Sequence, residues 1–320
     1  MPNAAPEALV ERFRNEIGAL IGAEQCEKAA FGVAVSGGPD SMALLWLMAN
    51  AFPGRVEAAT VDHGLRAEAR AEAEMVARWC QGGGVPHAIL SPAEPIAGSL
   101  QAAARAARYD LLHRWREERG IGWLLTAHHA DDQLETLLMR LNRSSGVGGL
   151  AGIRARNGAV LRPLLGWRRV ELAAIVEGQE LPHADDPSNR DERFDRVAMR
   201  NRLRDVDWID ARAAARSAAA CADAEEALGW TVERIANDHI RMGGKATVWL
   251  DRHDFPREIQ RRLVARMIAL AEPGVPPPRG EALDQALVQL SCGKRVTIGR
   301  WLLSGGDIWK LCPAPPRSRR

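Results

Sequence analysis

The chain has 320 residues, more than one average domain, so two are expected. Its 46% hydrophobic and 26% charged residues suit a globular protein, and no apolar run is long enough to cross a bilayer. Acidic residues Glu7, Glu11 and Glu16 leave no apolar stretch for a signal peptide, which predicts a cytoplasmic protein. The net charge of +2 is unevenly divided. Residues 1–100 carry 7 basic and 12 acidic side chains, and residues 241–320 carry 15 and 7. A basic C-terminal region fits polyanion binding, although an Arg-rich coding style would give the same count. Cys26, Cys80, Cys221, Cys292 and Cys312 are odd in number, far apart and never in a Cys-x-x-Cys pair. That argues against structural zinc, an iron–sulfur cluster or a disulfide framework, and for buried free thiols.

In chain order, Phe31 to Val35 reads as a buried strand ended by a glycine pair, with a helix from Pro39 to Asn50. A strand from Val56 to Val61 and a helix from Ala67 to Gln81 follow, the helix stopped by Gly82-Gly83-Gly84. Next come a strand from His87 to Leu90, a helix from Ser99 to Glu118, a strand from Trp123 to Thr126 and a helix from Asp131 to Leu141. This alternation predicts an α/β fold with a doubly wound, mostly parallel sheet, whose ligands sit at the carboxyl ends of its strands. From Ser144 the pattern loosens into Gly- and Arg-rich loops, a helix from Arg168 to Gly178 and the polar loop Asp185 to Arg190. Ala-rich helices from Ala198 to about Ile235 read as a connector. Beyond them, strands at Val248 to Leu250, Val296 to Ile298 and Ile308 to Leu311, with helices over 254–272 and 280–291, predict a small α/β domain. The expected organisation is a catalytic domain over 1–205, a helical connector over 206–240 and a basic domain over 241–320 that touches RNA.

Chemistry concentrates in Ser36-Gly37-Gly38-Pro39-Asp40-Ser41, between the first strand and its helix. The glycines let the backbone present N–H groups, Pro39 suits the first helical position, and the helix N-terminus favours a phosphate. Ser36 and Ser41 add hydroxyl donors. Asp40 repels phosphate, so its use would be to hold a magnesium ion that attracts one. The stretch is not a Walker A loop, because no Lys occurs between Lys28 and Lys245. Gly146 to Ala151 imitates a dinucleotide fingerprint but follows a helix, and Gly243-Gly-Lys-Ala-Thr lacks the hydroxyl a Walker A loop needs after its Lys.

Ser-Gly-Gly-Pro-Asp-Ser resembles the pyrophosphate loop of the N-type ATP pyrophosphatases, enzymes that adenylate a substrate oxygen. Within that superfamily, five further segments resemble the tRNA(Ile)-lysidine synthetases. They are Val61-Asp-His-Gly-Leu-Arg66, Ala104-Arg-Ala-Ala-Arg-Tyr109, Thr126-Ala-His-His-Ala-Asp-Asp-Gln-Leu-Glu-Thr136, Arg162-Pro-Leu-Leu165 and Asp186-Pro-Ser-Asn189, so the likeness covers roughly 31–204. It implies an adenine nucleotide α-hydrolase-like fold, with ATP held by Ser36, Gly37, Gly38, Pro39, Asp40, Ser41, Asp62 and His63, and Mg2+ by Asp40. It implies catalytic roles for Asp40, Arg108, Asp131 and Asp132, and substrate contacts for Arg105, His128, Glu135, Asn189, Arg196 and Arg200. The implied partners are tRNA(Ile) with a CAU anticodon and free L-lysine, with no membrane and with room for a homodimer. In physical terms Arg105 and Arg108 share a helix face, where Arg108 suits an oxyanion but a solvated face is the plain alternative. Asp131 and Asp132 equally fit first-turn acids favoured by the helix dipole.

Two positions depart from the family's pattern. Its Arg-Gly-x-Gly loop reads Arg143-Ser144-Ser145-Gly146, and its Asp-Arg-Asn segment reads Asp195-Arg196-Val197. A tRNA thiolase of the same superfamily is the rival enzyme reading, disfavoured by the unpaired cysteines. A nucleotide-binding sensor and a structural RNA-binding protein are the non-enzymatic ones.

Overall fold

A computed structural model of the chain describes residues 6–64, 67–92, 100–184, 195–203, 206–244, 246–275, 278 and 280–315. The chain packs as two units, Met1–Ala222 and Asp223–Arg320.

The first unit opens with α1 (Pro6–Ile21) and the short α2 (Ala23–Lys28), neither expected from the sequence. Phe13, Ile17 and Ile21 recur every four residues on α1 and form one buried stripe. β1 (Phe31–Ala34) leads into α3 (Pro39–Ala51), then β2 (Val56–Val61), α4 (Ala67–Gly82), β3 (His87–Leu90), α5 (Leu100–Glu118), β4 (Trp123–Leu125) and α6 (Ala130–Leu141). These agree with the expected elements to within one or two residues at each end. A one-turn α7 (Val147–Leu150), the hairpin strands β5 (Arg156–Asn157) and β6 (Val160–Leu161), a 3-10 turn at Pro163–Gly166, α8 (Arg169–Gly178) and α9 (Asp195–Leu203) complete the unit, apart from the start of α10 (Ala211–His239). The expected helices over 198–235 are thus α9 and, from Ala211, one continuous 29-residue helix.

The six-stranded sheet runs β3-β2-β1-β4-β6-β5, parallel except for the β5–β6 hairpin. α3 is apolar on every side, with Met42, Ala43, Leu44, Leu45, Leu47 and Met48 all fully buried beside residues of α1, β1 and α8 in one core cluster. A helix that is apolar all round has to be enclosed. A second cluster joins Leu112 and Trp115 of α5 to Ala59, Ile121 and Leu124. Helices on both faces make the sheet doubly wound, as expected. The strand order reverses between β1 and β4, and this switch point opens a crevice at the carboxyl ends of the strands.

The second unit holds a five-stranded antiparallel sheet, β7 (Ile240–Gly243), β8 (Thr247–Leu250), β9 (Arg295–Ile298), β10 (Trp301–Ser304) and β11 (Trp309–Pro313), in the order β7-β8-β11-β10-β9. α11 (Arg257–Ala271) and α12 (Glu281–Ser291) supply Leu263, Met267, Leu283, Leu287 and Leu290 to a core shared with Val248, Leu250, Trp301, Leu303, Trp309 and Leu311. β7 and β10 were not among the strands expected from the sequence. The thiols divide: Cys26 and Cys80 are buried, with burial pushing Cys80 up to about 12, whereas Cys292 is exposed.

At the end of α6 the departure Ser144 sits in the left-handed region at φ 52°. The family's glycine at this position would adopt that conformation without strain. Restoring it by Ser144→Gly is expected to raise the stability of the first unit by about 1 kcal/mol in urea denaturation, since left-handed backbone costs a residue with a side chain roughly 1–2 kcal/mol. A loss of stability would mean that the Ser side chain contributes more than its backbone strain costs.

Candidate active site

Three strand ends build the site. After β1, Gly37 takes φ +86°, which only glycine adopts freely, and its carbonyl accepts from the Ala184 N–H at 2.9 Å. Ser41 is buried, and its hydroxyl donates to the Gly38 carbonyl at 2.9 Å while accepting from the Ser36 N–H at 3.2 Å. Ser41 thus braces the loop from within, and Ser36 and Gly38 line the cavity beside it. After β2, Asp62 accepts from the Gly64 N–H at 2.9 Å and locks its own turn. After β4, Thr126 Oγ1 lies 2.9 Å from His128 Nδ1, and His129 opens α6.

These ends and α5 enclose a cavity of about 520 Å³. Of the sequence-predicted residues, Ser36, Gly38, Pro39, Asp40, Ser41, His63, Arg108, His128, Asp132 and Arg200 line it. Gly37, Asp62, Arg105, Asp131 and Glu135 do not, although Gly37 and Asp62 shape its wall. Arg105 is exposed, its guanidinium 5.3 Å from the Tyr109 ring centroid, so the two arginines of that helix face different surroundings. Arg108 is half-buried, and burial followed by repulsion from Arg105 lowers its pKa, with Tyr109 opposing. His63 is likewise pulled down, first by burial and then by Arg108. Asn189 lies outside the described residues, and so does the side chain of Arg196.

The acids of α6 have separate surroundings. Asp131 is clasped by Arg168, whose Nε and Nη2 lie 3.1 and 3.0 Å from Oδ1, and by the Arg169 N–H at 2.8 Å. Burial raises its pKa, but those hydrogen bonds outweigh it and leave the carboxyl below its usual range. Asp132 accepts from the His129 N–H at 3.2 Å, and Arg200 Nη2 stands 3.7 Å from its other oxygen. Glu135 is buried and takes the Arg200 Nε at 2.8 Å.

Several contributors were given no role from the sequence. His129 is almost fully buried, with Asp40, Asp131 and Asp132 carboxylates 3.5 to 3.6 Å from its ring nitrogens. Burial opposes a charged ring, yet the hydrogen bond to Asp40 and the charges of Asp132, Asp40 and Asp131 raise its pKa overall. A signal existed in the spacing: His129 precedes the helix and Asp132 follows three residues on, the pattern of a capping box, which the structure forms. Arg168 and Arg169 approach from far along the chain and left no local mark. Gln133 was read only as part of a motif. Its amide pairs with both backbone groups of Ile153 at 3.0 and 2.7 Å, and it presses so closely on Gly152 (φ +57°) that a Cβ there would lie 2.5 Å from Oε1.

Among the described residues no group of three or more His, Cys, Asp or Glu could hold a metal ion. Magnesium would ask for less than such a group, since it keeps much of its water and takes one or two carboxylates together with substrate phosphates. Asp40, Glu72 and Asp132 are carboxylates on the cavity wall, and Asp40, in the first turn of α3, would be the one beside the glycine turn.

A glycine turn at the head of a buried helix, opening on a polar cavity at the switch point of a parallel sheet, defines a nucleotide-binding α/β domain, and a PP-loop domain profile matches residues 9–206. The U34-tRNA thiolase NcsA from Methanococcus maripaludis shares the fold at 16% identity, with a TM-score of 0.55 over 70% of this chain and 82% of that one. The tRNA(Ile)-lysidine synthase of Zymomonas mobilis subsp. mobilis is 44% identical over 298 residues, 90% of this chain and 89% of its own. That of Novosphingobium aromaticivorans is 43% identical over 291 residues, 88% of each chain. The chain belongs to the tRNA(Ile)-lysidine synthase family.

Proposed function

We propose that this chain joins free lysine to C2 of the wobble cytidine in a tRNA(Ile) with a CAU anticodon, at the expense of ATP. Cytidine O2 attacks the α-phosphorus and pyrophosphate leaves. The lysine ε-amine then adds at C2, loses a proton and expels AMP, so that nitrogen replaces oxygen on the ring. The observation that carries this reading is the meeting of the Gly37-Gly38 turn, Asp40, Arg108, Asp132 and Arg200 around one cavity, in a chain of this family.

Backbone N–H groups of the turn and the N-terminus of α3 would receive the leaving pyrophosphate. Arg108 would share the charge gathering at the α-phosphate. Magnesium, when bound, supplies further neutralisation there, with Asp40 to hold it. Asp131 is engaged by Arg168, so Asp132 is the better acceptor for the proton lost by the amine. Arg200, which reaches the cavity beside Glu135, suits the lysine carboxylate. The target base must leave its stack to enter. With α-labelled ATP, AMP and pyrophosphate should form only when the tRNA is present; turnover indifferent to tRNA would contradict the reading.

The second unit is proposed to grip the RNA backbone, in a cytoplasmic enzyme. Lys310, Ser304 and Arg295 are register partners across β11, β10 and β9, opposite in facing to the buried Trp309 and Leu311. Trp249 of β8 pairs with Lys310, whose ammonium lies 5.9 Å from its ring. Replacing Arg295 and Lys310 by Ala is expected to lower the salt slope of tRNA binding by about one for each cation removed. An unchanged slope would move the RNA elsewhere.

A further inference from the structure

His129 has no part in the chemistry just described, yet it lies at its centre, 1% exposed among three carboxylates. Its Nδ1 stands 3.4 Å from the backbone nitrogen of Asp132, which can only donate. A ring nitrogen that accepts from an N–H presents its lone pair, so the proton of the neutral imidazole sits on Nε2, and the imidazolium keeps one there too. Nε2 is 3.5 Å from Asp40 Oδ2 and 3.5 Å from Asp132 Oδ2. One N–H therefore faces carboxylates from the first turns of two different helices, α3 and α6. The ring has little freedom to turn away, because it is almost fully buried in a close-packed interior. Capping a helix requires none of this: Asn, Asp or Ser does it better than His and without reaching another helix.

We propose that His129 is a positioning residue, whose Nε2–H holds the Asp40 carboxylate beside that of Asp132 and so fixes the pair that meets the magnesium–triphosphate. The inference rests on the reading of Asp40 given above and adds the group that aims it. Removing a partner that orients a metal-holding carboxylate commonly costs 10–100-fold in metal affinity or activity.

The test is His129→Asn, which keeps a side-chain acceptor for the cap but is too short to reach Asp40. Binding of ATP is measured by equilibrium dialysis with magnesium and with EDTA, alongside thermal melting and the KM for tRNA. The expected result is a near-native melting curve, unchanged ATP binding in EDTA and an unchanged KM for tRNA, with magnesium-dependent ATP affinity and kcat each down by about 10–100-fold. His129→Asn with wild-type magnesium dependence would reduce the residue to a cap and overturn the proposal. Should that variant fail to fold, NMR of the native protein labelled with 15N-histidine decides: a protonated Nε2 supports the assignment and a bare Nε2 overturns it. Wild-type protein that binds no magnesium–ATP would sink the reading of the site itself, a separate outcome from a wild-type response in the variant.

Discussion

Asp40→Ala is expected to lower kcat by at least about 100-fold, the scale seen when one preorganised electrostatic group is removed from a charged transition state. Binding of tRNA should stay within about twofold of wild type, because phosphate contacts that carry RNA affinity are spread over many cations. Three observations make the prediction sharp. Asp40 occupies the first turn of α3, lines the cavity, and has Nε2 of His129 3.5 Å from its Oδ2. α3 is anchored by its apolar residues and not by this acid, whose dipole contribution is only about 0.3–1 kcal/mol, so the fold should survive. Single-turnover kinetics and filter binding on the same preparation separate the two effects. Equal loss of turnover and tRNA binding would contradict the assigned role.

The largest structural effect is expected at Trp167. Its side chain is fully buried, with the Arg12 guanidinium 3.9 Å from the ring centroid and Nε1 donating to Glu16. Its carbonyl accepts the Ala130 N–H that starts α6, and its neighbour Arg168 clasps Asp131. Trp167→Ala should destabilise the first unit by about 3–5 kcal/mol, the usual range for emptying a buried tryptophan site. Trp167→Phe keeps most of the packing but removes the indole donor from Glu16, whose carboxyl burial already raises its pKa, and should cost about 1–3 kcal/mol. Urea unfolding followed by circular dichroism measures both. A Phe variant as unstable as the Ala variant would show that the hydrogen bond, not the packing, dominates.

Much of this was readable in the residues. The strands at Phe31, Val56, His87 and Trp123 are short apolar runs between strong stops, which is why their helices and their shared edge could be placed. The turn was legible because its conformation demands glycine at Gly37, whose φ is +86°. The inward hydrogen bond of Ser41 was not, since a hydroxyl's partner depends on a carbonyl whose direction only the folded turn sets. Nor was the separation of Asp131 from Asp132: adjacent acids look alike until Arg168 arrives from 37 residues away. Arg105 and Arg108 show the limit of helical spacing, which puts two residues on one side of a helix without saying how far that side is covered. Ser144 is the reverse case, a departure from a pattern that the backbone accommodates by holding Ser at a glycine's φ.

The central claim is that the head of α3 takes ATP so that the chain can rebuild one RNA base. Mass spectrometry of nucleosides from tRNA(Ile) with a CAU anticodon, after incubation with the protein, ATP and lysine, tests it most directly. The wobble cytidine should become heavier by one lysine less one water, and only when all components are present. Wobble cytidine left unchanged by active, folded protein would contradict the account.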